Sequence, residues 1–416
     1  MNFSQNFTPT PEPTGYECGA RLESFYNWYA QVHGWASLLV CIFGSIANVL
    51  NIAVLTRREM QSPTNMILTG LAVADLLVMI EYIPYAIHMY LYQRPRRDTF
   101  TYGWSIFVLF HSNFTQVCHT ISICLTVTLA VWRYIAVAYP QRNREWCSNK
   151  RTSLMIAFAY VSCPILCIPL YINTEVRPQV EILDERGMSV NLTKLQQTQA
   201  NSTVASLEGM TKTTLYFVKL TESPMSNVLK DINVWIYSVV IKLIPCMALT
   251  GLSIKLVKVL LEAKQRRKKL TTKNIAIKMG NGKEHACEKP KKRRKGNDKE
   301  RQTDRTTMML LAVLLLFLFT EMPQGILGLL SVILGPSFFN TCYVMLGDVI
   351  DILTLINSAI NFILYCAMSR QFRTTFNQLF CKRWRLIGRW MAVPHQPMEN
   401  NGHTGTNHTV TQVTQV

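Results

Sequence analysis

The chain has 416 residues, of which 49% are apolar and only 16% charged, with a mean hydropathy of +0.13 and a formal net charge of +18. That composition fits a membrane protein and excludes a disordered chain. No metal-ligand spacing, nucleophile motif or phosphate-cradling glycine loop occurs, so an enzyme is not expected.

In chain order, "MNFSQNFTPTPEP" lacks the apolar stretch of a signal peptide, so the first span is expected to direct insertion itself. Residues 1–34 form the predicted outer tail, with glycosylation sequons at Asn2 and Asn6. A bilayer core of about 30 Å takes roughly 20 mostly apolar residues per helix. Seven stretches qualify: 35–56, 65–90, 104–138, 152–171, 232–260, 307–334 and 343–368. Lipid leaves no water for free backbone groups, so these are helices. The predicted fold is all-α, a seven-transmembrane helix bundle over residues 35–380.

Charge orients it. Residues 261–306, between spans five and six, carry 17 Lys and Arg against 6 Asp and Glu. The positive-inside rule makes this loop cytoplasmic and the N-terminus outer. The run "KKRRK" at 291–295 reads as topogenic and facing anionic lipid rather than nucleic acid. The long connection 172–230 then lies outside, with further sequons at Asn191 and Asn201. After span seven, residues 369–381 repeat apolar positions at helical spacing among basic ones. They predict an amphipathic eighth helix on the inner leaflet, with Cys381 placed for palmitoylation. Residues 382–416 form a cytoplasmic tail ending in Thr414, Gln415 and Val416, which resembles a PDZ ligand.

Polar residues inside the spans carry the functional signal, because a charge at a helix centre costs roughly 2.5–3.5 kcal/mol on insertion. Asp348, Asp351, Thr354, Ser358, Asn361 and Tyr365 recur every three or four residues in span seven. Glu321, Gln324, Gly328 and Ser331 do the same in span six. Each stripe lies on one helix face and lines an internal cavity. In span five, Lys242 shares a predicted inward face with Ser238 and Trp235. A buried charge needs a partner, so Lys242 and Glu321 are expected to pair. A cation or proton transporter built on Asp75, Glu81 and Glu321 is the rival reading. The absence of an internal repeat weighs against it.

"GSIANVLNIAVL", "SPTNMILTGLAVADLL", "WRYIAVAYP" and "NSAINFILY" resemble the landmarks of rhodopsin-like G-protein-coupled receptors, in order and across all seven spans. "VWRY", "FTEMPQGI" and "NSAINFILY" together resemble the sex-peptide and myoinhibitory-peptide receptors, with the myosuppressin and FMRFamide-type receptors as neighbours. The resemblance implies a receptor for an extracellular amidated peptide that signals through a heterotrimeric G protein, inhibitory coupling being what the family suggests. It assigns G-protein contact to Arg133, Tyr134 and Tyr365, with Trp132 in place of the usual acid. It assigns an allosteric sodium ion to Asp75, Ser122, Asn357, Ser358 and Asn361, and no other metal or cofactor. Pro323 becomes the hinge of span six, with Glu321 and Lys242 as its switch. Thr115 stands where amine receptors carry an aspartate, and span seven has no lysine for retinal. Tyr82, Tyr85, Thr115, Trp235, Gln324, Asp348 and Asp351 are therefore candidate peptide contacts.

The usual staple from span three to the second outer loop is missing. Val108 occupies the expected cysteine position, and 172–230 contains no cysteine. The outer cysteines that remain are Cys18 and Cys342. Since spans one and seven are neighbours in the family's bundle, and the outside is oxidising, a Cys18–Cys342 disulfide folding the tail over the pocket mouth is expected.

Overall fold

The computed structural model describes residues 18–92, 94–189, 210–221, 226–280 and 291–381. Among the described residues, seven helices are long and apolar enough to cross a membrane: Arg21–Leu55, Pro63–Leu91, Tyr102–Ala138, Asn149–Asn173, Asp231–Val259, Leu315–Gly335 and Phe339–Ala367. They are spans one to seven below. Local signals set their ends. Ser62 accepts from the Asn65 N–H and Pro63 follows it at the first helical position of span two. Ser369 caps the eighth helix, Arg370–Phe376, which continues as a π-turn through Cys381. Gly335, at φ +82, breaks the long helix that ends with span six, a conformation that costs glycine no steric strain.

Three boundaries differ from expectation. Span one begins at Ala20, not near 35, because nothing between 20 and 34 breaks a helix and its start is clamped covalently. Much of the predicted basic loop 261–306 is helical, in continuations of spans five and six at Ile244–Gly280 and Lys291–Phe338. The connection after span four holds an unexpected antiparallel hairpin, β1 Thr174–Leu183 and β2 Thr211–Leu220, paired from Thr174↔Leu220 to Leu183↔Thr211. Pro178 in β1 argues against a strand by composition. It faces Tyr216, whose backbone N–H donates to Phe100 O and whose carbonyl accepts from Ser105. Tyr216 thus turns its backbone groups away from β1, so the proline costs no ladder bond.

The disulfide forms as expected: Cys18 is bonded to Cys342, with Cα atoms 5.4 Å apart. Its consequence differs. Helix begins two residues after Cys18, so the bond pins the extended end of span one to the top of span seven instead of tethering a loose strand. Residues 1–17, including Asn2 and Asn6, lie outside the described residues, as do Asn191, Asn201 and the 382–416 tail.

Another contact does the work of the absent staple. The Arg96 guanidinium donates to both carboxylate oxygens of Glu181 at 3.1 and 3.0 Å and lies 4.9 Å from the Phe100 ring centre and 5.8 Å from that of Phe217. A forked charge-assisted pair stacked on aromatics fixes orientation as well as distance. Glu181→Gln is expected to raise amide hydrogen exchange across 211–220 and to abolish its salt dependence. Unchanged protection would show that the backbone bonds to Phe100 suffice.

Candidate functional site

Midway through the bundle, spans three, five, six and seven converge on one group of side chains. Lys242 Nζ lies 2.5 Å from Glu321 Oε2 and 2.6 Å from His119 Nε2, while His119 Nε2 is 3.0 Å from the same Oε2. Lys242 and Glu321 are both 0% exposed. From span seven, Asn357 Nδ2 donates to Glu321 Oε1 at 3.4 Å. Lys242 donates to Glu321 Oε2, and His119 Nε2, whose role as donor or acceptor depends on its tautomer, is within hydrogen-bond distance of both.

Small residues make that approach feasible. A Cβ at Gly325 would sit 3.1 Å from Lys242 Cβ, and one at Gly328 would collide with the Ser238 side chain. Spans five and six therefore touch backbone to side chain at two successive turns. Span five is π-helical over Ile236–Leu243, a wider turn that keeps Ser238 and Lys242 inward. Trp235, just before this turn, is 48% exposed and does not join the buried group.

Below this group lies a small cavity of about 10 Å³ lined by Asp75, His119, Ser122, Asn357 and Asn361, among others, room for about one water-sized occupant. Ser122 donates to Asp75 Oδ1 at 2.8 Å and Asn361 to Oδ2 at 3.2 Å. Ser358 is 3% exposed and its backbone carbonyl accepts from Asn48 Nδ2 at 3.1 Å. Asn357 lines the cavity while giving its amide to Glu321, so it joins two sites assigned separately from sequence. His119 does the same. His119 is not among the residues expected from sequence, although the span-three stripe Thr115, His119, Ser122 and Thr126 repeats at a legible spacing of four, three and four.

Toward the hairpin, the interior is acidic and aromatic. His111 Nδ1 is 2.6 Å from Glu81 Oε1, and the Thr115 hydroxyl donates to Glu81 Oε2 at 2.9 Å. The Thr115 proton is thus given to Glu81, which leaves its hydroxyl oxygen as an acceptor. Tyr82 is only 2% exposed, with its hydroxyl 3.1 Å from His33 Nε2, so it is packing rather than wall. Tyr85 stacks on His111 at 3.8 Å. Tyr90 donates to Asp348 Oδ1 at 2.9 Å. Gln324 donates to the Tyr237 hydroxyl.

At the opposite end, Trp132 turns its indole N–H to Thr152 Oγ1 at 3.0 Å and so does not stand in for an acid beside Arg133. Arg133 Nε has no hydrogen-bond partner among the described residues. Tyr134 meets Tyr139 edge-on at 6.2 Å. Tyr365 is 3% exposed and packed against Phe372 at 5.7 Å. Its expected contact surface is covered here.

Residues 35–383 match the family described as serpentine type 7TM GPCR chemoreceptor Srw. The G-protein coupled receptor dmsr-1 of Caenorhabditis elegans is 30% identical over 383 residues, covering 86% of this chain and 69% of that protein. The sex peptide receptor of Drosophila melanogaster is 26% identical over 370 residues, 87% and 74% respectively. The FMRFamide receptor of the same organism is 22% identical over 382 residues, 89% and 58%.

Removing one member of a buried pair costs about 3–5 kcal/mol, because a bare charge remains. Lys242→Met and Glu321→Gln should each lower thermal stability by that order. The double variant should lose less than the sum, a coupling that a double-mutant cycle reads directly. Additive losses would show that the two residues act separately.

Proposed function

Because the chain belongs to the serpentine seven-transmembrane G-protein-coupled receptor family, we propose that it is the plasma-membrane receptor for an extracellular amidated neuropeptide of the sex-peptide or myoinhibitory type. The hairpin end faces outside and receives the peptide. The Arg133 end faces the cytosol and engages a heterotrimeric G protein of inhibitory type through Arg133 and Tyr134, with Tyr365 released when the bundle opens. A myosuppressin or FMRFamide-like peptide is the second reading, favoured by the similarity to an FMRFamide receptor.

One observation carries the mechanism. The Lys242–His119–Glu321 group stands on span three between Thr115, which bonds Glu81, and Ser122, which bonds Asp75, and Glu321 sits two residues before Pro323 in span six. Proline leaves the preceding turn short of one backbone bond. A peptide that draws Glu321 or Lys242 upward releases span six at that hinge. The Asp75 cavity suits a small hard cation in charge and oxygen donors: Asp75, Ser122, Ser358 and Asn361 would hold sodium and stabilise the closed bundle. The basic inner surface meets anionic lipid, Cys381 carries a palmitoyl anchor, and Val416 offers a PDZ contact.

The test is expression with a G-protein reporter, a panel of amidated peptides and their free-acid forms, and simultaneous recording of membrane current. Nucleotide exchange driven by an amidated peptide, lost with the free acid and without current, is expected. Current without exchange would return the chain to the transporter reading.

A further inference from the structure

Span one carries a face that the bundle does not use. Its inner side packs on spans two and seven, where a Cβ at Gly44 would meet Met79 and Ala359 and one at Gly34 would meet Tyr90. Among the described residues, nothing covers the opposite side. Phe25, Trp28, Val32, Trp35, Leu39 and Ile42 are each between 41% and 66% exposed, and the series goes on through Ile46 to Val49. The intervals alternate three and four without a break, so these residues form one stripe, about 36 Å long at 1.5 Å per residue.

The residues around the stripe mark where the membrane ends. From Val32 to Leu55 every exposed residue of the helix is apolar, a length of about 36 Å that suits a hydrocarbon core of about 30 Å and its edge. Before Val32 the exposed Arg21, Glu23, Ser24, Asn27 and Gln31 are polar, so this end stands in water. Phe25 and Trp28 lie exposed among them all the same. A tryptophan at the lipid edge is ordinary, and Trp35 fits that place. Trp28 stands about 10 Å farther out, where exposed apolar surface rimmed by polar groups marks a contact site. The stripe therefore passes from water into lipid without changing character.

That passage selects the occupant. Acyl chains cover only the part in lipid, and a soluble partner covers only the part in water. A second copy of this chain, in the same membrane and the same orientation, brings an identical stripe at the same depth and covers both. A repeat of three and four is also the pattern by which two parallel helices interlock their side chains, at a crossing angle of about 20°. We propose that span one is a homodimer seam, in which Phe25 to Val49 of two copies pair in parallel about a two-fold axis normal to the membrane. The Cys18–Cys342 bond holds the outermost part of the helix to span seven, so the seam beyond the lipid is ordered before the copies meet and association costs less entropy. The seam depends neither on which peptide binds nor on which side of the membrane is outer.

Equal depth sets each seam residue opposite its own copy, which disulfide trapping reads. Val32→Cys lies on the seam, and Asn27→Cys, exposed on another side of the same helix, is the control. The full-length chain is reconstituted in liposomes at low density, oxidised with copper phenanthroline and separated without reductant. The wild type gives the background from native cysteines, and peptide mapping verifies that Cys18–Cys342 persists in each variant. Val32→Cys is expected to yield roughly tenfold more covalent dimer than Asn27→Cys. Adding Trp28→Glu, a charge placed beyond the lipid, should cut that yield by about tenfold, the scale of losing one aromatic anchor at an interface, whereas Trp28→Phe should keep it. Equal yields from the two cysteine positions would mean random collision and overturn the seam, as would a yield that Trp28→Glu leaves unchanged. No dimer from Val32→Cys in a chain that keeps its native disulfide would assign the stripe to lipid or to residues 1–17 and overturn it too.

Discussion

A lysine and a glutamate buried against each other in the middle of a membrane bundle constrain everything around them. Neither Lys242 nor Glu321 reaches solvent, and each alone would impose a charge on a low-dielectric interior. Their attraction holds span five to span six, His119 brings in span three and Asn357 brings in span seven. Gly325 and Gly328 are small because larger residues would push the charges apart. The π-helical turn in span five belongs to the same arrangement, since it keeps Ser238 and Lys242 both turned inward.

The group also divides the interior into two compartments. Above it lie Asp348, Asp351, Glu81 and a set of tyrosines. Below it lies the cavity walled by Asp75, which shares His119 and Asn357 with the group itself. A change of charge above therefore reaches the lower cavity through two side chains. The periphery is held by other means. Cys18–Cys342 fixes the outermost part of span one to span seven, and Arg96–Glu181 seats the hairpin in place of a covalent link. One clamp is permanent and the other is electrostatic, so the hairpin is the part of this end of the bundle that salt can move.

Much of this is written plainly in the sequence. The cost of polar groups in lipid makes the stripes on spans six and seven legible, and it requires a partner for Lys242. The Cys18–Cys342 pairing is what the resemblance implies, since Val108 stands at the family's cysteine position and the family's bundle sets spans one and seven side by side. What escaped has physical reasons. Helical spacing assumes 3.6 residues per turn, and the π-helical stretch over Ile236–Leu243 breaks that assumption, so Trp235 stays half-exposed while Ser238 and Lys242 are buried. Thr115 lies on the expected face, yet its hydroxyl goes to Glu81. Composition gives no hint that Pro178 sits where a strand needs no N–H. Span one runs outward to Ala20 because a disulfide supports it, and hydropathy alone does not see a covalent clamp.

The central claim is that the ion pair holds span six closed at its Arg133 end and that its loss is what opens the bundle. Spin labels at the Arg133 ends of spans three and six, read by double electron–electron resonance without ligand, test this directly. In Glu321→Gln the distance distribution is expected to shift outward relative to the wild type, in the direction that an activating peptide produces. An unchanged distribution in a correctly folded Glu321→Gln variant would contradict the account.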